Sequence, residues 1–222
     1  MDSVRDLTQP WQAGMPAVAG DPSFQLNRLK SADRDGYALH RFVAGSHTGT
    51  HFDAPAHLFP SAQTVDQVPL DQFCGRARVL QAHTTEPQCI TADQLGQQLL
   101  DFLSQPEAEP IVLIATGWDR WFSSDPERYG NHPYLSTALA ALLRDQGVKL
   151  VGIDTFSPDA QGSVELPVHQ VLLAAGILIV ENLCGLTELP PTVNFSAYPL
   201  PLVGADAAPV RAIASLDEGP QT

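Results

Sequence analysis

Three times between residues 91 and 180 the sequence sets a stretch of helical period ahead of a short, almost wholly apolar run. Residues 91–103 place Leu95, Leu99, Leu100 and Leu103 on one helical face behind Thr91 or Asp93 as a cap, and the apolar run 111–115 follows. Ser136 opens a second stretch through Leu139, Leu142 and Leu143 that stops at Gly147, before the run 149–153; a third, 168–175, passes Gly176 into 177–180. Polar caps and terminal glycines delimit helices. Strands apolar on both faces must be covered on both sides, so the pattern predicts an α/β fold with a partly parallel, mixed sheet. Further strands are expected at 37–43, 76–83, 193–203 and 210–215, with Pro199, Pro201 and Pro209 marking edges or bends. Residues 58–73, carrying Pro60 and Pro69, read as loop, and residues 1–33, broken by Pro10, Gly14, Pro16, Gly20 and Pro22, as an irregular arm with one short strand. No internal repeat or low-complexity linker divides the chain, so its 222 residues are expected to form a single domain.

The expected strand at 37–43 leads into Gly45-Ser46-His47-Thr48-Gly49-Thr50-His51-Phe52-Asp53-Ala54-Pro55-Ala56-His57, which gathers three imidazoles and a carboxylate. The four-residue spacing of His47 and His51 would suit a helical metal site, but Gly49, the flanking threonines and the turn at Asp53-Ala54-Pro55 oppose a helix. A loop running into a short extended segment fits better: His51 and Asp53 then point to one side, and the glycines let His47 approach across the turn. Nitrogen and hard oxygen donors together suit zinc or manganese, and the lack of cysteine in the cluster argues against a closed structural zinc site.

Chemistry on open α/β sheets gathers where strands end and loops begin. Glu181 follows the apolar run 177–180, and His169 lies at the start of the helix that leads into it. With His47, His51 and Asp53 they make five donors, enough for two ions sharing carboxylates and acidifying a bridging water, which leaves His57 free for proton transfer. Asp154 and Asp159 are weaker candidates, one of which could orient a ligand histidine.

The balance of 12 basic to 25 acidic residues, a formal charge of −13, disfavours nucleic acid and anionic membrane surfaces as partners. Cys74, Cys89 and Cys184 form no paired motif, and the first sixteen residues contain no apolar run of a secretory signal, so a cytoplasmic protein is expected.

The run from His47 to His57 resembles the His-x-Gly-Thr-His-x-Asp-x-Pro-x-His signature of the cyclase-like metal-dependent hydrolases, which include bacterial arylformamidase (kynurenine formamidase) and isatin hydrolase. Similar blocks follow in order: Asn131-His132-Pro133-Tyr134-Leu135-Ser136, Val151-Gly152-Ile153-Asp154-Thr155, His169-Gln170-Val171-Leu172-Leu173 and Val180-Glu181-Asn182-Leu183. The resemblance implies a swivelling β/β/α fold, assembled as a homodimer or larger homo-oligomer, that hydrolyses a C–N amide bond of a small molecule with hydroxide held on two divalent ions, zinc in arylformamidases and manganese in isatin hydrolases. By position it implies that His47, His51 and Asp53 hold the first ion, that Asp53 and Glu181 are shared, that His169 holds the second, and that His57 is the general acid/base.

The sequence departs from the family's pattern in the arm. Arylformamidases carry a pocket tryptophan before Pro-Gly-Asp, where this chain reads Val18-Ala19-Gly20-Asp21-Pro22, so Val18 is expected at the substrate and offers no aromatic face for stacking. N-formylkynurenine, cleaved to kynurenine and formate, is the lead substrate. A same-family hydrolase or cyclase acting on another cyclic or acyl substrate, such as an isatin-type lactam, is the alternative, with a non-catalytic metal-binding protein as a further reading.

Overall fold

The structure is a computed structural model and describes residues 4–18, 20–105 and 109–216. The strands are β1 (Val4–Asp6), β2 (Gln25–Lys30), β3 (Leu39–Val43), β4 (His51–Asp53), β5 (Cys74–Gln81), β6 (Cys89–Ile90), β7 (Ile111–Ala115), β8 (Tyr134–Leu135), β9 (Leu150–Ile153), β10 (Leu178–Glu181), β11 (Thr192–Pro199) and β12 (Ala207–Ser215). The helices are α1 (Ala32–Asp35), α2 (Ala92–Ser104), α3 (Pro126–Gly130), α4 (Thr137–Asp145) and α5 (Pro167–Ala174). The three expected helix-then-strand units are α2–β7, α4–β9 and α5–β10. Their caps behave as the residue types require: the Gln94 side chain accepts from the Thr91 N–H at 2.8 Å, and Ser136 accepts from the Leu139 N–H at 3.1 Å.

Strands β5, β7, β9 and β10 are parallel to one another. The sheet does not stay open: β4 pairs antiparallel with both β10 and β12, and β12 returns through β11 to β5, closing a mixed ring. The candidate residues therefore lie on the wall of a closed sheet and not in the crevice of an open one.

Closure gives each strand an inside and an outside. Phe52, Val79, Leu113, Leu150, Val180, Phe195 and Ala212 belong to one buried cluster drawn from every strand of the ring, its interior. The alternate residues Leu80, Val112, Ile114, Val151, Ile153 and Ile179 join a second cluster with Leu95, Leu99, Leu139, Leu143 and Leu172 of the helices. This explains why β7 is apolar at all positions: each face meets its own core. Gly152 lies where a Cβ would stand 2.7 Å from Leu113 Cδ2 and 2.7 Å from Leu183 Cδ1, both fully buried.

The arm holds more order than its punctuation suggests. β1 adds to β12 outside the ring, and Gln25–Lys30, within the expected irregular segment, pairs with β3 as a separate two-stranded ribbon. Its polar composition hides it, since Gln-Leu-Asn-Arg-Leu-Lys carries few of the residues that mark a strand. The expected strand at 193–203 ends at Pro199, and the expected loop 58–73 holds only short 3₁₀ turns.

Gly152→Ala should lower stability by about 1–3 kcal/mol, the usual cost of overpacking a filled core, read as a fall in the urea midpoint at unchanged slope; an unchanged midpoint would mean the two leucines have room to yield.

Candidate active site

β4 is short, but its register decides the site. Phe52 points into the ring and meets Phe73 edge to face at 5.0 Å between centroids. The period of two then turns His51 and Asp53 outward, and the antiparallel pairing sets His51 opposite Glu181 and Asp53 opposite Ile179. His169 arrives from the first turn of α5. The two regions, widely separated in sequence, therefore meet at one point on the outer wall of the ring.

The loop before β4 is turn and bend, as its glycines require. Gly49 has φ +63°, and a Cβ there would stand 2.6 Å from Trp11 Nε1 and 2.9 Å from Met15 Cε, so glycine is needed for both conformation and space. Its carbonyl accepts from His51 Nδ1 at 2.8 Å. Thr50 Oγ1 donates to the Asn182 carbonyl at 2.7 Å and accepts the Gln9 N–H at 2.8 Å, tying loop, arm and strand end together.

His169 is held the same way. Its Nδ1 donates to Asp159 Oδ2 at 2.7 Å, and Asp159 also accepts the backbone N–H groups of Val168 (2.8 Å) and His169 (3.0 Å), where a carboxylate is favoured at a helix start. Asp159 is thus the aspartate that orients a histidine. Asp154 is not: it accepts from Thr116 N–H and Oγ–H and from Gly117 N–H, and burial beside Asp119 pushes its carboxyl up to about 7.

With those nitrogens tied off, the remaining ones face carboxylates. His47 Nδ1 lies 2.9 Å from Asp53 Oδ1 and 3.2 Å from His51 Nε2. His51 Nε2 lies 3.3 Å from both Asp53 Oδ1 and Glu181 Oε2, and His169 Nε2 lies 3.4 Å from Asp53 Oδ2 and 3.2 Å from Glu181 Oε1. Both oxygens of Asp53 and Oε1 of Glu181 are nevertheless buried without a well-formed hydrogen bond. Buried carboxylate oxygens in that condition need a cation. The ligand atoms of His47, His51 and Asp53, and those of Asp53, His169 and Glu181, each lie within 4.8 Å of one another, and either set can hold a metal ion. Nitrogen with carboxylate oxygen is the donor chemistry of a transition-metal site, so the residues fit the group.

Without metal, protons fill the gaps. Burial works against charge on His51, but Asp53 and Glu181 outweigh it and push the imidazole up to about 10. Against burial, Asp53 and Asp206 raise His47, and Asp159, Asp53 and Glu181 raise His169, while Asp53, despite burial, is held well below the usual carboxylate range by His51 and His47.

Asp206, just ahead of β12, was not marked by the sequence. Its Oδ2 accepts from His47 Nε2 at 2.9 Å and from His57 Nδ1 at 3.1 Å, and Ser46 Oγ donates to Oδ1 at 3.2 Å. Burial opposes its charge, but His47 and His57 hold the carboxyl down to about 2. Its neighbours are alanines, so the one cue was an acidic residue between small residues at a strand start.

These groups open on a cavity of about 570 Å³, lined also by Val18, Asp21 and Pro22 of the arm and by Phe156, Ser163 and Leu166. Val18, expected at the substrate, is among the residues that line this cavity. Ala19 lies outside the described residues. Trp11 is not among the lining residues and packs against Gly49, Phe24 and Phe42.

The Cyclase family model matches residues 5–160. The kynurenine formamidase of Geobacillus thermodenitrificans (strain NG80-2) is 35% identical over 208 residues, 93% of this chain and 94% of the relative. Isatin hydrolase A from Ralstonia solanacearum has a similar structure, with a TM-score of 0.83 at 25% identity over 96% of this chain and 92% of that one. A Bacillus stearothermophilus protein described as a predicted metal-dependent hydrolase gives a TM-score of 0.74 at 27% identity over 95% and 97%.

Metal uptake should release protons, because His51 keeps its proton until about pH 10 in the metal-free protein and must lose it to become a ligand. Affinity should accordingly rise with pH through neutrality, and calorimetry in buffers of different ionisation enthalpy measures the protons released. The same pairing stabilises the metal-free fold fully below the ordinary value of 6.5 and loses that contribution as pH rises towards 10. Metal binding without proton release would contradict this arrangement.

Proposed function

The chain belongs to the Cyclase family and is a hydrolytic enzyme, and from that premise we propose that it cleaves the C–N bond of an aryl formamide in a metal-dependent reaction. N-formylkynurenine, giving kynurenine and formate, is the lead substrate, as the name of the Geobacillus relative suggests. The observation that carries the reading is the convergence of His47, His51, Asp53, His169 and Glu181 around carboxylate oxygens that are buried and unsatisfied.

We assign His47, His51 and Asp53 to one divalent ion and Asp53, His169 and Glu181 to a second, since Asp53 belongs to both sets. Zinc is the leading candidate and manganese the alternative, both suited to mixed nitrogen and oxygen donors. Bound there, the ions supply Lewis acidity towards the carbonyl oxygen and an acidified water. Hydrolysis places the hydroxyl on the acyl carbon and a proton on the leaving nitrogen. His57 is the general acid/base: it lines the cavity, and its Nδ1 is engaged by Asp206, which leaves Nε2 to accept a proton from water and return it to that nitrogen. The cavity volume, about 570 Å³, lies in the range of small-molecule sites.

Val18 supports a second reading. An aliphatic side chain at the wall, 47% exposed, gives an aryl formamide no stacking face on that side, and the likeness to isatin hydrolase A makes a cyclic amide of the isatin type the rival substrate. Assay of the metal-loaded protein on N-formylkynurenine and on isatin decides between them: turnover of the formamide, raised by Val18→Trp, supports the first, and turnover of the lactam alone rejects it. His57→Ala should keep its metal and lose roughly 10²–10⁴-fold in turnover; metal loss at unchanged kcat per bound ion would overturn the role given to His57.

We further propose a homodimer or larger homo-oligomer. The β2–β3 ribbon stands apart from the ring and exposes Leu26, Leu29, Tyr37, Leu39, Phe42 and Val43. An isolated ribbon is marginal in water, and exposed apolar residues in this density mark an interface. Sedimentation should give more than one chain per particle, and Phe42→Asp should shift it towards monomer; a monomeric wild type would reject the proposal. A cytoplasmic location is proposed on the three unpaired cysteines; among the described residues no helix is long and apolar enough to cross a membrane.

A further inference from the structure

Asp206 receives both outer histidines on one oxygen, His47 Nε2 at 2.9 Å and His57 Nδ1 at 3.1 Å. An ionised carboxylate only accepts hydrogen bonds, so each imidazole must carry its proton on the nitrogen that faces Asp206. For His47 this leaves Nδ1, the atom beside Asp53 and His51, free of that proton. For His57 it leaves Nε2. The aspartate is itself fixed: Ser46 Oγ donates to its other oxygen, and its backbone carbonyl accepts from the Ala54 N–H at 2.9 Å, directly after β4.

We propose that Asp206 is a positioning residue that sets the tautomers of His47 and His57 together, so that one carboxylate prepares a ligand nitrogen and the proton-transferring nitrogen in the same act. The part concerning His57 rests on the function proposed above; the part concerning His47 does not. His51 and His169 have their own acceptors, the Gly49 carbonyl and Asp159, so Asp206 completes a set in which every histidine of the cluster has one nitrogen assigned. A ligand histidine anchored this way loses metal affinity when its acceptor is removed.

The test uses the full chain, with Asp206→Asn, Asp206→Glu, His57→Ala and the double variant Asp206→Asn/His57→Ala. An asparagine oxygen can accept from one imidazole while its amide confronts the other. Long-range ¹H–¹⁵N spectra of the zinc-loaded wild type should show His57 protonated at Nδ1, and Asp206→Asn should admit the Nε2–H form. Zinc affinity, measured against a competing chelator, should fall about 10–100-fold in Asp206→Asn, and kcat should fall roughly 10²–10⁴-fold with little change in KM. Asp206→Glu should recover part of both. In the His57→Ala background Asp206→Asn should still weaken zinc binding but cost no further kcat, since the group it prepares is gone. Wild-type tautomers with zinc affinity and kcat within about twofold of wild type would overturn the proposal, as would a kcat loss fully additive with His57→Ala. If the wild type turns over no formamide, the tautomer spectra and zinc titration still decide the role of Asp206. A variant that fails to fold is identified by circular dichroism, and the decision then passes to Asp206→Glu and to the wild-type tautomers alone.

Discussion

Asp53 and Glu181 bring two carboxylates out of water on adjacent strands, and three imidazole nitrogens face their oxygens at 2.9–3.4 Å. Such an arrangement is costly unless positive charge occupies the space between, whether protons on the imidazoles or a metal ion. The cost falls on the fold, which must hold the groups together without the ion, and the surrounding structure reads as the means of doing so. Gly49, Asp159 and Asp206 each take the outward nitrogen of a histidine, so the rings cannot turn away to relieve the crowding.

Stability and chemistry are kept on opposite faces of the same strands. The interior of the ring is filled by an apolar cluster, and the helices cover the outer face along α2, α4 and α5. Where the helical cover gives way, beside the start of α5, His51, Asp53 and Glu181 emerge from the wall. One residue, Phe52, links the two roles: it is anchored in the interior core, and a single-residue slip of β4 would turn His51 and Asp53 inward.

The arm contributes through packing more than through ligands. Trp11 and Met15 press on Gly49, which fixes His51, while Val18, Asp21 and Pro22 form one wall of the cavity. Trp11 also meets Phe42 of the exposed ribbon at 6.2 Å, so the surface proposed for assembly is one side chain removed from the histidine loop. Substrate wall, loop support and ribbon thus lie within one continuous segment ahead of the histidines.

The sequence alone determined the elements whose signals are local. Helical period, caps and apolar runs gave α2–β7, α4–β9 and α5–β10 within a residue or two, because both faces of those strands meet apolar neighbours and the pattern records it. The candidate donors His47, His51 and Asp53 were legible from density and from the glycines between them, and the candidates His169 and Glu181 from their places at the ends of a helix and a strand. Only the tertiary structure decided that the sheet closes, that the polar segment Gln25–Lys30 is a strand, that Asp159 and not Asp154 orients His169, and that Asp206 belongs to the site at all. The reasons differ: the ribbon is masked by its polar composition, and spacing does not say which of two nearby aspartates, Asp154 or Asp159, faces the His169 ring ten residues on. Sheet closure and the hydrogen bonds from Asp206 to histidines 149 or more residues away are long-range contacts, which leave no period in the chain, and an aspartate among alanines looks the same whether it faces water or two imidazoles.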